Sequence, residues 1–169
     1  MTLFPWLLFL HIFGALIAFG TSFSTFPLLG MMSGKEPAHA NFGARVSEAI
    51  STKVVRPLAA LQAVTGIGLI LVTGIDLTKA LWLDTAIVIY VIAFAYAVFV
   101  QIPVGHQIVV LTSGGPPAGG PPAGAAPAGG APMGPPPALL AAVKKAQRGG
   151  IIISILIVVI VFLMIVKPF

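Results

Sequence analysis

Residues 151–166 read IIISILIVVIVFLMIV, an apolar run broken only by Ser154 and carrying no charge. A helix that is apolar all round belongs either in the middle of a large core or in a bilayer. A chain of 169 residues is too small to wrap such a helix on every side, so the bilayer is the remaining solvent. Three further stretches of this kind run approximately over 3–31, 57–75 and 83–111. Each reaches the length of about 20 residues that a helix needs to cross a hydrocarbon layer about 30 Å thick. The composition agrees: 58% of residues are hydrophobic and 8% charged, against about a quarter charged in a soluble domain. Backbone groups in lipid must be satisfied internally, which leaves helices or closed barrels. No alternating ten-residue strands occur, so the expected class is all-α, a bundle of four transmembrane helices.

The charges then orient the bundle. Lys35, Arg45, Lys53 and Arg56 follow the first run, and Lys144, Lys145 and Arg148 precede the fourth, so all seven fall on one side. Only Lys79 and Lys167 fall on the other. The excess of Lys and Arg on cytoplasmic loops places both termini outside, in a multi-pass protein of a bacterial inner (cytoplasmic) membrane. Trp6 and Trp82 both fall at the outer boundary, as an aromatic belt requires. The net charge of +5 is thereby a topology signal, and no nucleic-acid partner is expected. The first run is read as a retained helix, since no Lys or Arg precedes it and it is longer than a signal core. The chain has no cysteine, which excludes thiolate metal sites, disulfides and thiol catalysis.

The loops differ in character. After the breaker cluster SGKEPAHANFG, Phe42, Val46, Ile50 and Val54 recur every four residues, so 40–56 reads as a cytoplasmic amphipathic helix, either interfacial or extending the second span. Between 112 and 137 the chain is almost wholly Gly, Pro and Ala, with the tandem GGPPAGGPPAG. That composition cannot build a core and favours an extended cytoplasmic tether. The segment 138–169 is then a basic amphipathic turn followed by the fourth span, separable from the three-helix unit 1–111.

Polar and small residues mark helix faces. On the first helix His11, Gly14, Ala15, Ala18, Ser22 and Thr25 share one face; on the second, Gln62, Gly66, Leu69 and Thr73; on the third, Tyr90, Ala93, Ala97, Gln101 and Gly105. Small residues let helix backbones approach in lipid, where packing drives association, so Gly14, Ala18, Ser22, Gln62, Gly66, Thr73, Tyr90, Ala97 and Gln101 are the expected helix–helix packing residues. With a rise of about 1.5 Å per residue, His11, Thr73 and Tyr90 fall in the outer half. Ser22, Thr25, Gln62 and Gln101 fall in the inner half, where the two glutamines can pair with each other and with the hydroxyls. Pro103 with Gly105 is a candidate kink, and His106 an interfacial, snorkelling histidine.

His11 is the one ionisable group deep in a span. The simplest reading is a neutral ring hydrogen-bonded to Thr73, Tyr90 or a backbone carbonyl; the sharper one is an axial haem ligand or a proton relay. His106 lies roughly 20 to 25 Å away along the membrane normal, by the same rise arithmetic. No bis-histidine site can therefore form within one chain. No two carboxylates or histidines share an intramembrane face, so no metal site and no catalytic constellation is expected, and Asp76 and Asp84 read as caps beside Lys79.

The segments LLFLHIFGALIAFG and RPLAALQAVTGIGLIL, with the basic loop between them, resemble small bacterial four-helix predicted integral membrane proteins of unknown function, over about the first 110 residues. More remotely they resemble the bundle of copper-resistance membrane proteins and of haem-dependent protoporphyrinogen oxidases. Only His11 carries over from that remoter pattern. The resemblance implies a four-helix fold and, for His11, haem b as a possible cofactor; the residues themselves call for no cofactor. Taken together, the expectation is a non-catalytic accessory or assembly subunit of a larger membrane complex of respiratory or photosynthetic type, in contact with lipid and other membrane subunits. The alternative is a haem-binding or proton-relay protein using His11.

Overall fold

The computed structural model describes residues 3–32, 37–114 and 136–168. The central part of the expected tether, 115–135, lies outside the described residues. All regular structure among the described residues is helical: α1 (Phe4–Met32), α2 (Pro37–Ile50), α3 (Arg56–Thr73), α4 (Leu81–Tyr96), α5 (Ile102–Thr112) and α6 (Pro137–Val166), with a 3₁₀ turn at Leu77–Lys79. Four of the resulting rods are long and apolar enough to cross a membrane, over windows within Phe4–Thr21, His39–Thr73, Leu81–Thr112 and Pro137–Val166.

The second and third rods are each two α-helices joined by one π-helical stretch, Ser51–Val55 between α2 and α3 and Ala97–Gln101 between α4 and α5. The cause is written in the sequence. Pro57 and Pro103 each stand two residues after the π stretch, at the start of the next α-helix. A proline inside a helix lacks the N–H and its ring collides with the carbonyl one turn earlier. Opening that turn to the wider π geometry removes the collision without breaking the rod. The amphipathic segment 40–56 is accordingly an extension of the second span, and the kink expected at Pro103 takes the form of a π turn before it.

Helices α1 and α3 pack antiparallel, with Leu7 beside Gly68, His11 beside Gly66 and Gly14 beside Gln62. Helix α4 packs on α6, and α5 packs on both α2 and α6. At the end of the molecule bearing Arg45, Lys144 and Lys145, a small core of Ala44, Val104, Ile108 and Ala142 joins α2, α5 and α6. Asn41 adds a polar strap there, its Nδ2 donating to the Val109 carbonyl at 3.3 Å and to Thr112 Oγ1 at 3.1 Å.

The opposite end is closed by short turns. Gly74 ends α3 in the left-handed conformation (φ 64°), where a side chain would be strained, and its N–H bonds to the Ile70 carbonyl at 3.0 Å. The Asp76 carboxylate then caps the 3₁₀ turn, accepting from Thr78 N and Thr78 Oγ1 at 3.1 and 2.7 Å. At the same end Lys167 Nζ lies 5.3 Å from the Trp82 ring centroid, tying the end of α6 to the start of α4 through a cation–π contact.

Candidate functional site

His11 lies on α1 against α3, and its Nδ1 is 2.9 Å from the hydroxyl of Thr65, the most buried polar residue described. Thr65 Oγ1 donates its own proton to the Leu61 carbonyl, one helical turn back, at 2.9 Å. The hydroxyl is therefore the acceptor toward the ring, and the network assigns the neutral tautomer with Nδ1 protonated. The partner differs from those expected. Thr73 is exposed and bonds back to the Leu69 carbonyl at 2.7 Å, while the Tyr90 hydroxyl donates across the bundle to the Ala59 carbonyl. Antiparallel packing is the reason: it sets His11 opposite Thr65 and Gly66, about two turns below Thr73. Sequence reading could have found Thr65, since it lies three residues after Gln62 on a face of α3.

The two glutamines do not pair. Gln62 is turned toward Gly14, where an added Cβ would stand 3.2 Å from its Oε1. Gln101 is turned toward α6, donating from Nε2 to the Ala146 carbonyl at 3.0 Å. At Gly149 an added Cβ would stand 2.7 Å from Gln101 Cδ and 2.8 Å from Tyr96 Oη. Each amide thus fills a notch that a glycine opens in the neighbouring helix, and the two notches lie on different interfaces. The Oε1 atoms of both are buried without a partner among the described residues. Of the other expected packing residues, Ala18 is buried on α1, Gly66 touches the His11 ring and Ala97 sits in the second π stretch. The side chain of Ser22 lies outside the described residues.

One opening among the described residues was not anticipated. Both π stretches face a cavity of about 160 Å³ between α2, α3, α5 and α6. Its polar lining is Ser47, Glu48, Ser51, Thr52, Arg56, Gln101 and Ser154; its apolar lining includes Ala59, Phe94, Val98 and Ile153. Ser47 Oγ is buried in this region without a hydrogen-bond partner. At its mouth Glu48 Oε1 is 2.8 Å from His106 Nδ1, joining α2 to α5. A shallower groove lined by Thr52, Arg56, Pro57, Ala60, Phe94 and Val98 continues outward between α3 and α4. The sequence signal for this opening was the pair of prolines, each of which widens its rod at the same level.

Chemically, the cavity lining offers hydrogen bonding, the Glu48 carboxylate and the Arg56 guanidinium. Among the described residues no three His, Cys, Asp or Glu side chains gather where they could hold a metal ion.

The fold and these contacts define an integral membrane protein built as a four-rod helical bundle with polar links between rods. Residues 5–113 match the family model described as Predicted integral membrane protein (DUF2269), a family of unknown function, and the chain belongs to that family. No curated protein and no solved structure matches the chain.

Proposed function

We propose that the protein is a non-catalytic subunit or assembly factor of a larger membrane complex, of respiratory or photosynthetic type, in a bacterial inner membrane with both termini outside. One observation carries this reading: three polar side chains of the rods are engaged in joining helices to one another. His11 reaches Thr65, Tyr90 reaches the Ala59 carbonyl and Gln101 reaches the Ala146 carbonyl. Groups tied up as links between helices hold a scaffold in shape. The outward side of α6 presents Ile151, Ile155, Val158, Phe162 and Ile165, a β-branched and aromatic surface suited to lipid or to a neighbouring helix. The test is purification from native membranes in mild detergent, with co-eluting proteins identified by mass spectrometry. Stoichiometric membrane partners are expected, and Ile155→Asn with Phe162→Asn, both at exposed positions, should release them. A lone monomer after mild crosslinking overturns the reading.

A second reading, a haem ligand or proton relay at His11, is favoured by one detail. With Nδ1–H held by Thr65, Nε2 carries the lone pair, the arrangement in which histidines ligate or accept protons. A Soret band of the isolated chain that disappears in His11→Ala would establish the haem ligand, a proton-linked activity lost in the same variant would establish the relay, and the absence of both would remove this reading.

A further inference from the structure

We infer that the cleft at the two π stretches is a binding site for one anionic glycerophospholipid, its phosphate on Arg56 and an acyl chain in the groove between α3 and α4.

The depth is right. Helix α3 spans Arg56–Thr73, 18 residues, or roughly 27 Å of rise, close to the thickness of the hydrocarbon layer. With the Gly74 turn at one interface, Arg56 stands at the other, at headgroup level and at the end of the molecule that carries most of the basic residues. Both π stretches fall at this level, so the rods part where a headgroup sits.

The charge and hydrogen-bonding complement follows. Arg56 pairs with no carboxylate among the described residues, and the one carboxylate in the cavity, Glu48, is engaged with His106. A guanidinium presents a forked donor set that matches a phosphate. Ser51 and Thr52 share the lining with it, and the unpartnered Ser47 Oγ and Gln101 Oε1 can accept from glycerol-type hydroxyls.

The shape continues the argument. Arg56, Thr52, Phe94 and Val98 line both the cavity and the outward groove, so a polar head and an apolar tail have one continuous path. The inner cavity has the size that accepts a ring-sized guest, well below what a helix about 10 Å across requires. A lipid therefore fits where a partner's helix does not. This inference stands independently of the subunit reading above.

The test uses the full chain, delipidated in detergent and then given phosphatidylglycerol, phosphatidylcholine or glycerol 1-phosphate, with bound molecules read by native mass spectrometry. One phosphatidylglycerol per chain is expected, with at least about tenfold less retention of phosphatidylcholine, whose choline ammonium Arg56 repels, and of glycerol 1-phosphate, which has no acyl chain for the groove. Arg56→Gln should abolish the preference between the two lipids, while Arg45→Gln, which changes an exposed cation outside the cleft, should leave it intact. Ala60→Trp, at an exposed position in the outward groove, should reduce retention with Arg56 in place, which keeps the test decisive if Arg56→Gln fails to fold. Equal retention of the two lipids overturns the proposal. So does binding of glycerol 1-phosphate alone, equal loss in Arg45→Gln and Arg56→Gln, or a polypeptide found in the cleft instead.

Discussion

The contact between His11 and Thr65 gives the clearest measure of what a single polar link contributes here. In a membrane such bonds are modest, about 0.6 kcal/mol on average and up to about 1.7, because the unfolded chain in lipid also finds partners. His11→Ala and Thr65→Val should each destabilise the bundle by about 1 kcal/mol in a reversible unfolding titration, and the double variant by little more than either alone. Additive losses would show that the two side chains do not act together. Gly149 belongs to the same scale. Alanine there must displace the Gln101 amide from the Ala146 carbonyl, so Gly149→Ala should cost about 1 kcal/mol, whereas Gly66→Ala, whose Cβ would meet the His11 ring at an ordinary 3.4 Å, should be nearly neutral. The sequence exposed which residues were unusual for lipid, His11, Gln62 and Gln101 among them. Their partners were not legible, because partnership depends on the register between antiparallel helices, and a shift of about two turns replaces Thr73 with Thr65.

At the scale of elements, the prolines decide more than the apolar runs. Pro57 and Pro103 were visible in the sequence, and so was the possibility of a kink; that each would widen its rod over five residues, and at a common level, was not. Local sequence states the problem a proline creates, while the choice between kink, break and π turn is made by the neighbouring rods. A π stretch carries one residue more than the α-helix it replaces. Deleting the exposed Lys53 should therefore restore an α-helical ladder and leave α2 in nearly the same rotation relative to α3, whereas deleting Ala49, within the regular α-helix of α2, should rotate the residues before it by roughly 100°, given 3.6 residues per turn. That rotation removes Asn41 from Val109 and Thr112 and Glu48 from His106. Because the natural chain has no cysteine, Asn41→Cys with Thr112→Cys can be probed with a short bifunctional thiol reagent. Crosslinking should be efficient in the parent and on deletion of Lys53 and should fall severalfold on deletion of Ala49. The 3₁₀ turn beyond α3 gives a pH prediction. The Thr78 hydroxyl, and then its backbone N–H, hold the Asp76 carboxylate below the usual range. A depressed carboxylate contributes stability above its unfolded value of about 3.9 and loses it as pH falls through the lower folded value. Thr78→Ala should move the Asp76 titration, followed by NMR, back up toward that value.

Across the whole molecule, the four apolar runs sufficed to define the class, because a bilayer leaves a helix so few alternatives. They did not define which rod packs on which, since every run is apolar enough to face lipid or protein. That order came from small residues and single polar links, and it leaves α3 and α4 parted where the cleft opens. The charges add an orientation. Arg45, Lys53, Arg56, Lys144, Lys145 and Arg148 belong to one end, while Lys79 and Lys167 belong to the other, where Lys167 meets Trp82. If cytoplasmic loops carry the excess of Lys and Arg, the end with Asp76 and Trp82 faces outward. Single cysteines at Thr78 and Lys145, both exposed, test this directly in whole cells. A membrane-impermeant maleimide should label Thr78→Cys in intact cells and Lys145→Cys only after permeabilisation. The reverse pattern would invert the molecule and place the Arg56 cleft in the outer leaflet, which makes this labelling the measurement on which the assignment of a leaflet to the bound lipid depends.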